Sequence, residues 1–294
     1  MTRLRLAESL SAVFYLPHIV AEASGAFREE QLAVQVLTSF GRQWDALERG
    51  DADIAIGGPT RNVAHYLRTG TAIVNFCGAL RANTWFLIGR EPAAAFEWHA
   101  IAGKKILGLA EAPQGVCLRW ILLRNGVDPA SVSIQNGRDV AHEIEMFRTG
   151  EGDYLLHSLH SAADLVRSRE ACVVQELATP TGPVPWSTYA AMPSTLERRR
   201  DDLQAFTRAI ARALDWIAAQ PPHTIAELVA PRFPDWNLND LSDTLAAYKQ
   251  LATWPRAPSI PRQEWDRYCA MYVEAGALRQ AVSYEVLVDA RFAG

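Results

Sequence analysis

DADIAIGGPTRNVAHY, residues 51–66, reads as a short apolar strand that turns directly into a helix. The strand is followed by Gly57, Gly58, Pro59 and Thr60, a combination typical of turns, and the apolar spacing after them is helical. Such a turn can bind a ligand through backbone N–H groups, position a catalytic residue, or simply reverse the chain. The rest of the sequence has to distinguish these three roles.

The same order of strand and helix recurs along the first part of the chain. Strands are predicted at residues 4–7, 33–37, 53–56, 72–77, 85–88, 105–109, 132–135, 154–156 and 172–176, with helices beginning near residues 17, 42, 61, 115, 140 and 161. This alternation predicts an α/β fold with mainly parallel strands. After about residue 193 the pattern becomes helical, with helices predicted at 203–217, 239–251 and 262–275.

Two segments that lie 100 residues apart are similar. ERGDAD at residues 48–53 resembles RTGEGD at residues 148–153, and each segment follows a strand and a helix and leads into another strand. So short a match can arise by chance, but the repeated order of elements predicts two similar βαβ lobes. The offset aligns residues 57–60 with residues 157–160. Because ligands bind at the carboxyl ends of strands in open α/β sheets, we expect both turns to face a cleft between the lobes.

Composition argues against several classes of function. The 294 residues carry a net charge of −4, with 49% hydrophobic and 21% charged residues, which gives no sign of a nucleic-acid partner. No apolar run reaches the roughly 20 residues that span a bilayer, so membrane insertion is not expected. The four cysteines form no zinc or disulfide pattern, and no cofactor is predicted. No clean leader is recognisable, so we expect a cytoplasmic protein, or a periplasmic one if a leader has been removed.

Four segments carry a family resemblance. They are PHIVAEASGAFREEQLAVQV (residues 17–36), ALERGDADIAIGGPT (46–60), IAGKKILGLAEAPQGVCLRWILLRNGVDPASV (101–132) and YEVLVDARF (284–292). In order and spacing they resemble the solute-binding proteins of ABC importers for nitrate, sulfonates, taurine and thiamine-precursor pyrimidines. The resemblance implies a two-lobed type II periplasmic-binding-protein-like fold, in which each lobe is a mainly parallel sheet flanked by helices.

The resemblance also implies how the lobes are built and what they do. Lobe 1 is discontinuous and comprises residues 1–90 plus 187–294, including the helical C-terminal region, and lobe 2 comprises residues 91–186. The two crossings between them form a hinge, and the lobes close on a small-molecule ligand in the cleft. The implied partner is an ABC permease.

Departures from the family pattern leave other functions open. Gln31 stands where the family usually has glycine, and the second-lobe turn carries histidines. Since the fold also occurs in cytosolic enzymes, the alternatives are an enzyme acting on an aromatic acid or related metabolite, and a cytosolic ligand sensor. The candidate nucleophile is Cys117, because a helix N-terminus lowers a thiol pKa, with His18, His65 or His157 as its base.

The candidate ligand contacts follow strands or lie at the crossings. They are Phe14, Tyr15, His18, Gly57, Gly58, Thr60, Asn83, Trp85, Gln114, Gly115, His157, Ser158, Trp186 and Thr188. Glycines allow close approach of the backbone, Thr60 is expected to cap the helix after it, and one of the two rings at Phe14 and Tyr15 is expected to stack on the ligand. For each residue the alternative is a structural role in the core, a turn or a helix cap.

The same residues suggest the class of ligand. Arg61 and Arg81 are the only basic side chains close to these loops, and the other candidates are aromatic or neutral and polar. We therefore expect a small planar heteroaromatic compound or an aromatic acid, rather than nitrate or sulfate. His157 and His160 have the spacing of a metal pair, but no third ligand is identifiable and no metal is predicted.

Overall fold

A computed structural model describes residues 1–39, 41–92 and 96–293. Its strands are β1 (Thr2–Glu8), β2 (Leu32–Thr38), β3 (Ile54–Gly57), β4 (Val74–Leu80), β5 (Trp85–Gly89), β6 (Lys105–Leu107), β7 (Ser133–Gln135), β8 (Tyr154–Ser158), β9 (Cys172–Glu176) and β10 (Ser187–Ala191). Each of the nine strands predicted from the sequence overlaps one of β1 to β9. The prediction missed β10, because its sequence STYAA is short and contains mostly small residues.

The helices follow the predicted order. They are α1 (Leu16–Ala23), α2 (Ala26–Glu29), α3 (Gln43–Glu48), α4 (Thr60–Thr69), α5 (Pro113–Arg124), α6 (Val140–Arg148), α7 (Leu159–Arg167), α8 (Ala178–Thr181), α9 (Pro193–Arg198), α10 (Arg200–Ala219), α11 (Pro222–Val229), α12 (Leu238–Gln250), α13 (Arg262–Glu274) and α14 (Tyr284–Leu287). The prediction missed α11, since paired prolines normally end a helix. Pro222 instead begins one, where its missing N–H is not needed.

The chain divides into two compact units. Unit 1 comprises Met1–Ala82, Pro183–Cys269 and Ala281–Gly294, and unit 2 comprises Asn83–Gly182 and Ala270–Gln280. The boundary predicted at residue 90 falls after β5, whereas unit 2 already begins at Asn83. The predicted cleft between the lobes stays a prediction.

The sheet of unit 1 has the strand order β2-β1-β3-β10-β4. Strand β1 runs parallel to β2 and β3, and β10 is antiparallel to its neighbours β3 and β4. Its central strands are apolar on both faces: the adjacent residues Leu6 and Ala7 of β1, and Ile54 and Ala55 of β3, are all 0% exposed. Continuous apolar strands of this kind are typical of a mainly parallel sheet covered by helices on both sides.

The sheet of unit 2 repeats this plan in the order β7-β6-β8-β5-β9. Strand β6 runs parallel to β7 and β8, and β5 is antiparallel to β8 and β9. In each sheet, therefore, one antiparallel strand lies next to last, and the remaining strands share one direction. The prediction of mainly parallel sheets flanked by helices is confirmed.

Candidate functional site

The predicted contacts of unit 1 lie at one edge of its sheet, formed by the carboxyl ends of β1 and β3 and the start of β10. We call this the first edge. Thr188 pairs with Gly57 in the β3–β10 register. Because β10 is antiparallel to β3, its first residues lie beside the last residues of that strand. The fold thus brings together residues that the sequence separates by about 130 positions.

Gly57 has to be glycine because two side chains of α3 pack against it. A Cβ placed on Gly57 would lie 2.9 Å from Gln43 Nε2 and 3.1 Å from Trp44 Cζ2. Both side chains are 5% exposed. Gln43 Oε1 and Trp44 Nε1 have no hydrogen-bond partner among the described residues. Sequence analysis missed both residues, although a glutamine that begins a helix after a strand was a usable signal.

The turn after β3 contacts a tyrosine from α13. The Thr60 N–H donates to Tyr268 Oη at 3.2 Å, and the two side-chain hydroxyls are hydrogen-bonded at 2.5 Å. A Cβ on Gly58 would lie 3.3 Å from the same hydroxyl. The expectation that Thr60 caps the helix is wrong, because α4 begins at Thr60 itself, after Pro59, and no side chain caps it. The Thr60 N–H, which was predicted to be free for a ligand, is therefore hydrogen-bonded to Tyr268.

The aromatic residues after β1 are almost fully buried. Phe14 is 5% and Tyr15 6% exposed, and their rings lie edge to face with centroids 4.9 Å apart. Burial raises the pKa of Tyr15, more than hydrogen bonds to Ser187 and Ser9 lower it, so the phenol keeps its proton. Phe14 O accepts a hydrogen bond from Trp254 Nε1 at 2.9 Å. Both rings are therefore packed among the buried residues of unit 1.

His18 belongs to a buried polar network with both ring nitrogens engaged. Nδ1 lies 3.1 Å from Tyr189 Oη, and Nε2 lies 3.3 Å from Glu8 Oε2. The other Glu8 oxygen accepts hydrogen bonds from Thr38 at 3.0 Å and from Arg232 at 2.9 Å. Burial raises the pKa of Glu8, but these partners lower it further, so the net pKa lies below its ordinary value. A ligand contact by His18 would require one of these hydrogen bonds to break.

Trp186 and Thr188 lie on the crossing into β10. Thr188 is 0% exposed, and its hydroxyl donates to Asn75 Oδ1 at 2.6 Å. Asn62 donates to the same oxygen at 2.8 Å. Trp186 is 5% exposed, and its carbonyl oxygen would lie 3.5 Å from a Cβ on Gly58. Only the backbone of Trp186 is thus seen to adjoin the glycine turn.

Unit 2 has an equivalent edge, formed by the carboxyl ends of β6 and β8 and the start of β5, which we call the second edge. His157 at the end of β8 is 2% exposed, and its Nε2 lies 2.7 Å from Glu143 Oε2. The other Glu143 oxygen accepts the Gly137 N–H at 2.8 Å. Trp85 is half-buried, with its ring centroid 6.0 Å from that of His157. His157 Nδ1 has no hydrogen-bond partner among the described residues.

Asn83 occupies a second polar cluster in unit 2. Its amide nitrogen donates to Cys117 Sγ at 3.2 Å and to Thr181 Oγ1 at 3.3 Å, while its oxygen accepts the Trp85 N–H at 3.0 Å. Cys117 is 0% exposed, and burial raises its pKa to about 12. The expected lowering of this pKa is wrong, because Cys117 lies a full turn inside α5 and its burial outweighs the helix dipole.

The remaining second-lobe candidates shape helix starts. Ser158 Oγ caps α7 by accepting the Ser161 N–H at 3.2 Å. A Cβ on Gly115 would lie 2.3 Å from Ala110 O, so only glycine fits beneath that carbonyl. Gln114 is 4% exposed. The structure thus brings Trp85, His157 and Ser158 together, while Gln114 and Gly115 lie at the start of α5.

A cavity of about 320 Å³ also lies in unit 1, beside the end of β4. Arg81 and Glu264 line it and form an ion pair at 2.7 Å, and none of the predicted ligand contacts borders it.

No group of three or more His, Cys, Asp or Glu that could hold a metal ion occurs within residues 1–39, 41–92 and 96–293. In that same part of the chain, no helix has the length and apolar character needed to cross a membrane.

Comparison with known proteins gives matches over the whole chain. YtlA of Bacillus subtilis (strain 168), which is named provisionally as a binding protein, is 26% identical over 301 residues, covering 100% of this chain and 89% of YtlA. The ligand-binding component of an ABC-type import system from Staphylococcus aureus superposes with a TM-score of 0.78 at 10% identity, covering 99% of this chain and 98% of that one. The alkanesulfonate-binding protein SsuA from Xanthomonas axonopodis pv. citri gives a TM-score of 0.74 at 15% identity, with 99% of each chain covered.

These structural matches confirm the predicted periplasmic-binding-protein-like fold. The sequence model of the family described as NMT1/THI5 like matches residues 14–224, well over half of the chain. This span contains both crossings, the second edge, and the β3 and β10 parts of the first edge. The chain therefore belongs to the NMT1/THI5-like family.

Proposed function

We propose that this protein is a solute-binding protein that binds one small organic molecule and delivers it to an ABC-type import system. Three findings support this role. The chain belongs to the NMT1/THI5-like family, its relative YtlA is named for binding, and a protein of the same fold is the ligand-binding component of an importer. An import role places the protein on the outer side of the membrane that contains its permease.

The observation that carries the proposal is a set of buried polar atoms that have no hydrogen-bond partner among the described residues. Gln43 Oε1 and Trp44 Nε1 lie at the first edge, and His157 Nδ1 lies at the second. Leaving a buried polar group unpaired costs about 1–3 kcal/mol, so native proteins pair nearly all of them. Unpaired atoms at the carboxyl ends of strands are where a ligand of an α/β fold would make its hydrogen bonds.

A planar aromatic ligand fits these edges better than a bare inorganic anion. Arg81 is already paired with Glu264, and Arg61 donates to the Gly41 carbonyl at 2.9 Å. The Glu264 carboxylate thus compensates the charge of Arg81, which leaves Arg61 of the two arginines predicted to lie close to these loops, whereas an inorganic anion site usually has several cations. Trp85 offers a half-buried aromatic face beside His157. We infer a small heteroaromatic compound or an aromatic acid as the ligand.

The fully buried Cys117 gives no support to cysteine-based enzyme chemistry. With a pKa of about 12 the thiol is not ionised near neutral pH, and the thiolate is the nucleophilic form. Its two polar neighbours, Asn83 and Thr181, carry no basic nitrogen that could remove its proton. A binding role is consistent with this arrangement.

The proposal is tested by a thermal-shift screen of about one hundred metabolites, since a ligand that binds only the folded state raises the melting temperature by mass action. The screen should include alkanesulfonates, nitrate, aromatic acids and pyrimidines, and each hit should be recovered and examined by mass spectrometry. We expect at least one aromatic hit that is recovered unchanged. A hit converted to product would instead show an enzyme, and binding of nitrate or alkanesulfonates alone would contradict the ligand class.

Variants then test whether the ligand binds at the first edge. Trp44→Phe removes an indole N–H that no described residue accepts, so it should weaken binding. Because Trp44 also packs in the core of unit 1, the variant should melt at a lower temperature, and affinity is measured where it is fully folded. Trp120→Phe is the matched control, because the Trp120 N–H donates to Glu274 at 2.8 Å, away from both edges. Equal loss of affinity in both variants would argue against a ligand at the first edge.

A further inference from the structure

The Glu143–His157 pair points to the chemical group by which the ligand is held in unit 2, and this inference rests on the proposed function. Both side chains are almost fully buried, at 1% and 2% exposed. Their contact at 2.7 Å engages only Nε2 of the imidazole ring. Nδ1 is buried and has no partner among the described residues. The question is whether Nδ1 offers a proton or accepts one.

Charge balance favours a proton on Nδ1. A net charge buried without compensation is costly, so buried carboxylates are paired or neutralised. The recorded side-chain partner of Glu143 is His157, and the Gly137 backbone supplies one further N–H. The pair has two arrangements with no net charge. Either a carboxylate faces an imidazolium, or a protonated carboxyl donates to Nε2 of a neutral ring. The third arrangement, a carboxylate facing a neutral ring with its proton on Nε2, leaves a net negative charge buried, which the start of α6 and one backbone N–H would compensate only in part.

Both neutral arrangements place a proton on Nδ1. In the imidazolium both ring nitrogens carry protons, and in the neutral ring that accepts at Nε2 the proton resides on Nδ1. In either case Nδ1–H is a donor that meets no acceptor among the residues that the structure describes. We propose that the ligand supplies this acceptor, as a carboxylate, sulfonate or carbonyl oxygen or a bare ring nitrogen, and that His157 donates to it.

Unit 1 has a different pair of residues at the matching positions. Residues 43 and 57 correspond to residues 143 and 157 by the internal repeat, and Gly57 packs against Gln43 where His157 meets Glu143. The acid–histidine pair is thus specific to unit 2. It gives this edge a single directed donor, beside the half-buried ring of Trp85.

The protonation of His157 is measured first, because it needs no ligand. ¹⁵N-labelled protein is examined by NMR at pH 7, and the His157 ring signals are assigned by their loss in His157→Gln. We expect a protonated Nδ1. A bare Nδ1, with the proton on Nε2 alone, would overturn the proposal, since the site would then require a ligand that donates.

Glu143→Gln provides the matched variant. The glutamine oxygen keeps the hydrogen bond from Gly137, and its amide donates to His157 Nε2, so the proton stays on Nδ1. We therefore expect Glu143→Gln to retain affinity within about fivefold, whereas His157→Phe, which has no donor, should lose tenfold or more. Each tenfold step corresponds to about 1.4 kcal/mol.

Ligand affinities are then measured for the hits of the thermal-shift screen and for two probes, benzoate and benzylamine. Benzoate offers a hydrogen-bond acceptor, and benzylamine offers a donor. Preference for acceptor compounds that disappears in His157→Phe supports the proposal. Binding of benzylamine or other donor compounds through His157, or unchanged affinity in His157→Phe, contradicts it. If no compound stabilises the protein, the proposed function fails, and the NMR result still decides the state of Nδ1.

Discussion

Asp53 and Asp153 occupy the same place in the two units. Each carboxylate accepts a hydrogen bond at 2.8 Å from the backbone N–H of the residue 48 positions earlier, Arg5 in unit 1 and Lys105 in unit 2. Each aspartate also returns its own N–H to the carbonyl of that residue, at 2.9 Å and 2.7 Å. The short internal similarity in the sequence therefore reflects a repeated structural joint at the entry to β3 and β8.

The hydrogen-bonded contacts of Asp53 and Asp153 should contribute unequally to the stability of the folded state. Asp53 is 13% exposed and also pairs with the Arg5 and Arg199 guanidiniums, whereas Asp153 is 42% exposed and has Lys104 at 3.5 Å. We expect Asp53→Asn to lower stability by about 1–2 kcal/mol and Asp153→Asn by less than about 1 kcal/mol, since exposed pairs contribute little. Urea unfolding of the two variants measures this. A larger loss for Asp153→Asn would contradict the ranking.

Local signals in the sequence were sufficient to predict the α/β class and strands β1 to β9. The strand at residues 54–57 is apolar, ends at Gly57 and leads through Gly58 and Pro59 into a helix, so its position could be predicted without any distant contact. Strand β10 could not be read this way. Its residues are small, and it is a strand because β3 and β4 lie on either side of it in the sheet.

The candidate site was less predictable, because its contacts cross large sequence distances. Tyr268 reaches Thr60 across 208 positions, and no local pattern marks that contact. His18 was a reasonable ligand candidate by position, yet Tyr189 and Glu8 engage both its nitrogens. His157 shows the opposite outcome. Its position after a strand predicted a ligand contact, which stays a prediction, and its Nδ1 has no hydrogen-bond partner among the described residues.

The Glu8 network should make the protein sensitive to acid. The net pKa of Glu8 lies below its ordinary value, so the carboxylate stabilises the folded state at pH above about 4.3, and this contribution is lost as the pH falls below that range. We expect Glu8→Gln to cost about 2–4 kcal/mol at pH 7, as breaking a buried charged network does, and the deficit should shrink only as the pH falls below about 4.

Glu285→Gln is the control for this experiment, because Glu285 is 61% exposed and pairs only with the exposed Arg262 among its recorded ion pairs. Melting temperatures of both variants and the wild type between about pH 2 and pH 7 give the comparison. A deficit for Glu8→Gln that stays constant as the pH falls below about 4 would show that the network does not depend on ionised Glu8.

His160 should also make the stability of the folded state depend on pH. Burial lowers the pKa of His160 to about 4, whereas an unfolded histidine titrates near 6.5. Between these values the unfolded chain binds more protons, so stability falls as the pH drops from about 6.5 towards 4. His160→Gln should flatten the melting temperature over this interval. The exposed His223 offers a matched control, and His223→Gln should leave the slope unchanged.

The packing around Gly57 can be tested without a ligand. A methyl group at this position would meet Gln43 Nε2 at 2.9 Å and the Trp44 ring at 3.1 Å, so Gly57→Ala should cost about 1–3 kcal/mol through overpacking. Gly58→Ala has its nearest contact at 3.3 Å and should cost less. Differential scanning fluorimetry ranks the two variants. A reversed order would mean that Gln43 moves away from Gly57 freely.

The cysteines give a last test of the core. Cys77, Cys117 and Cys269 are buried, and burial raises the pKa of Cys117 to about 12 and of Cys269 to about 11. Cys172 is the one partly exposed thiol of the four. Since alkylation requires an accessible thiolate, iodoacetamide should modify Cys172 first in the native protein and the other three only after denaturation. Peptide mass spectrometry measures the order in which the four cysteines are alkylated. Rapid native labelling of Cys117 would reopen the enzyme alternative, because the thiol would then be both reachable and ionised.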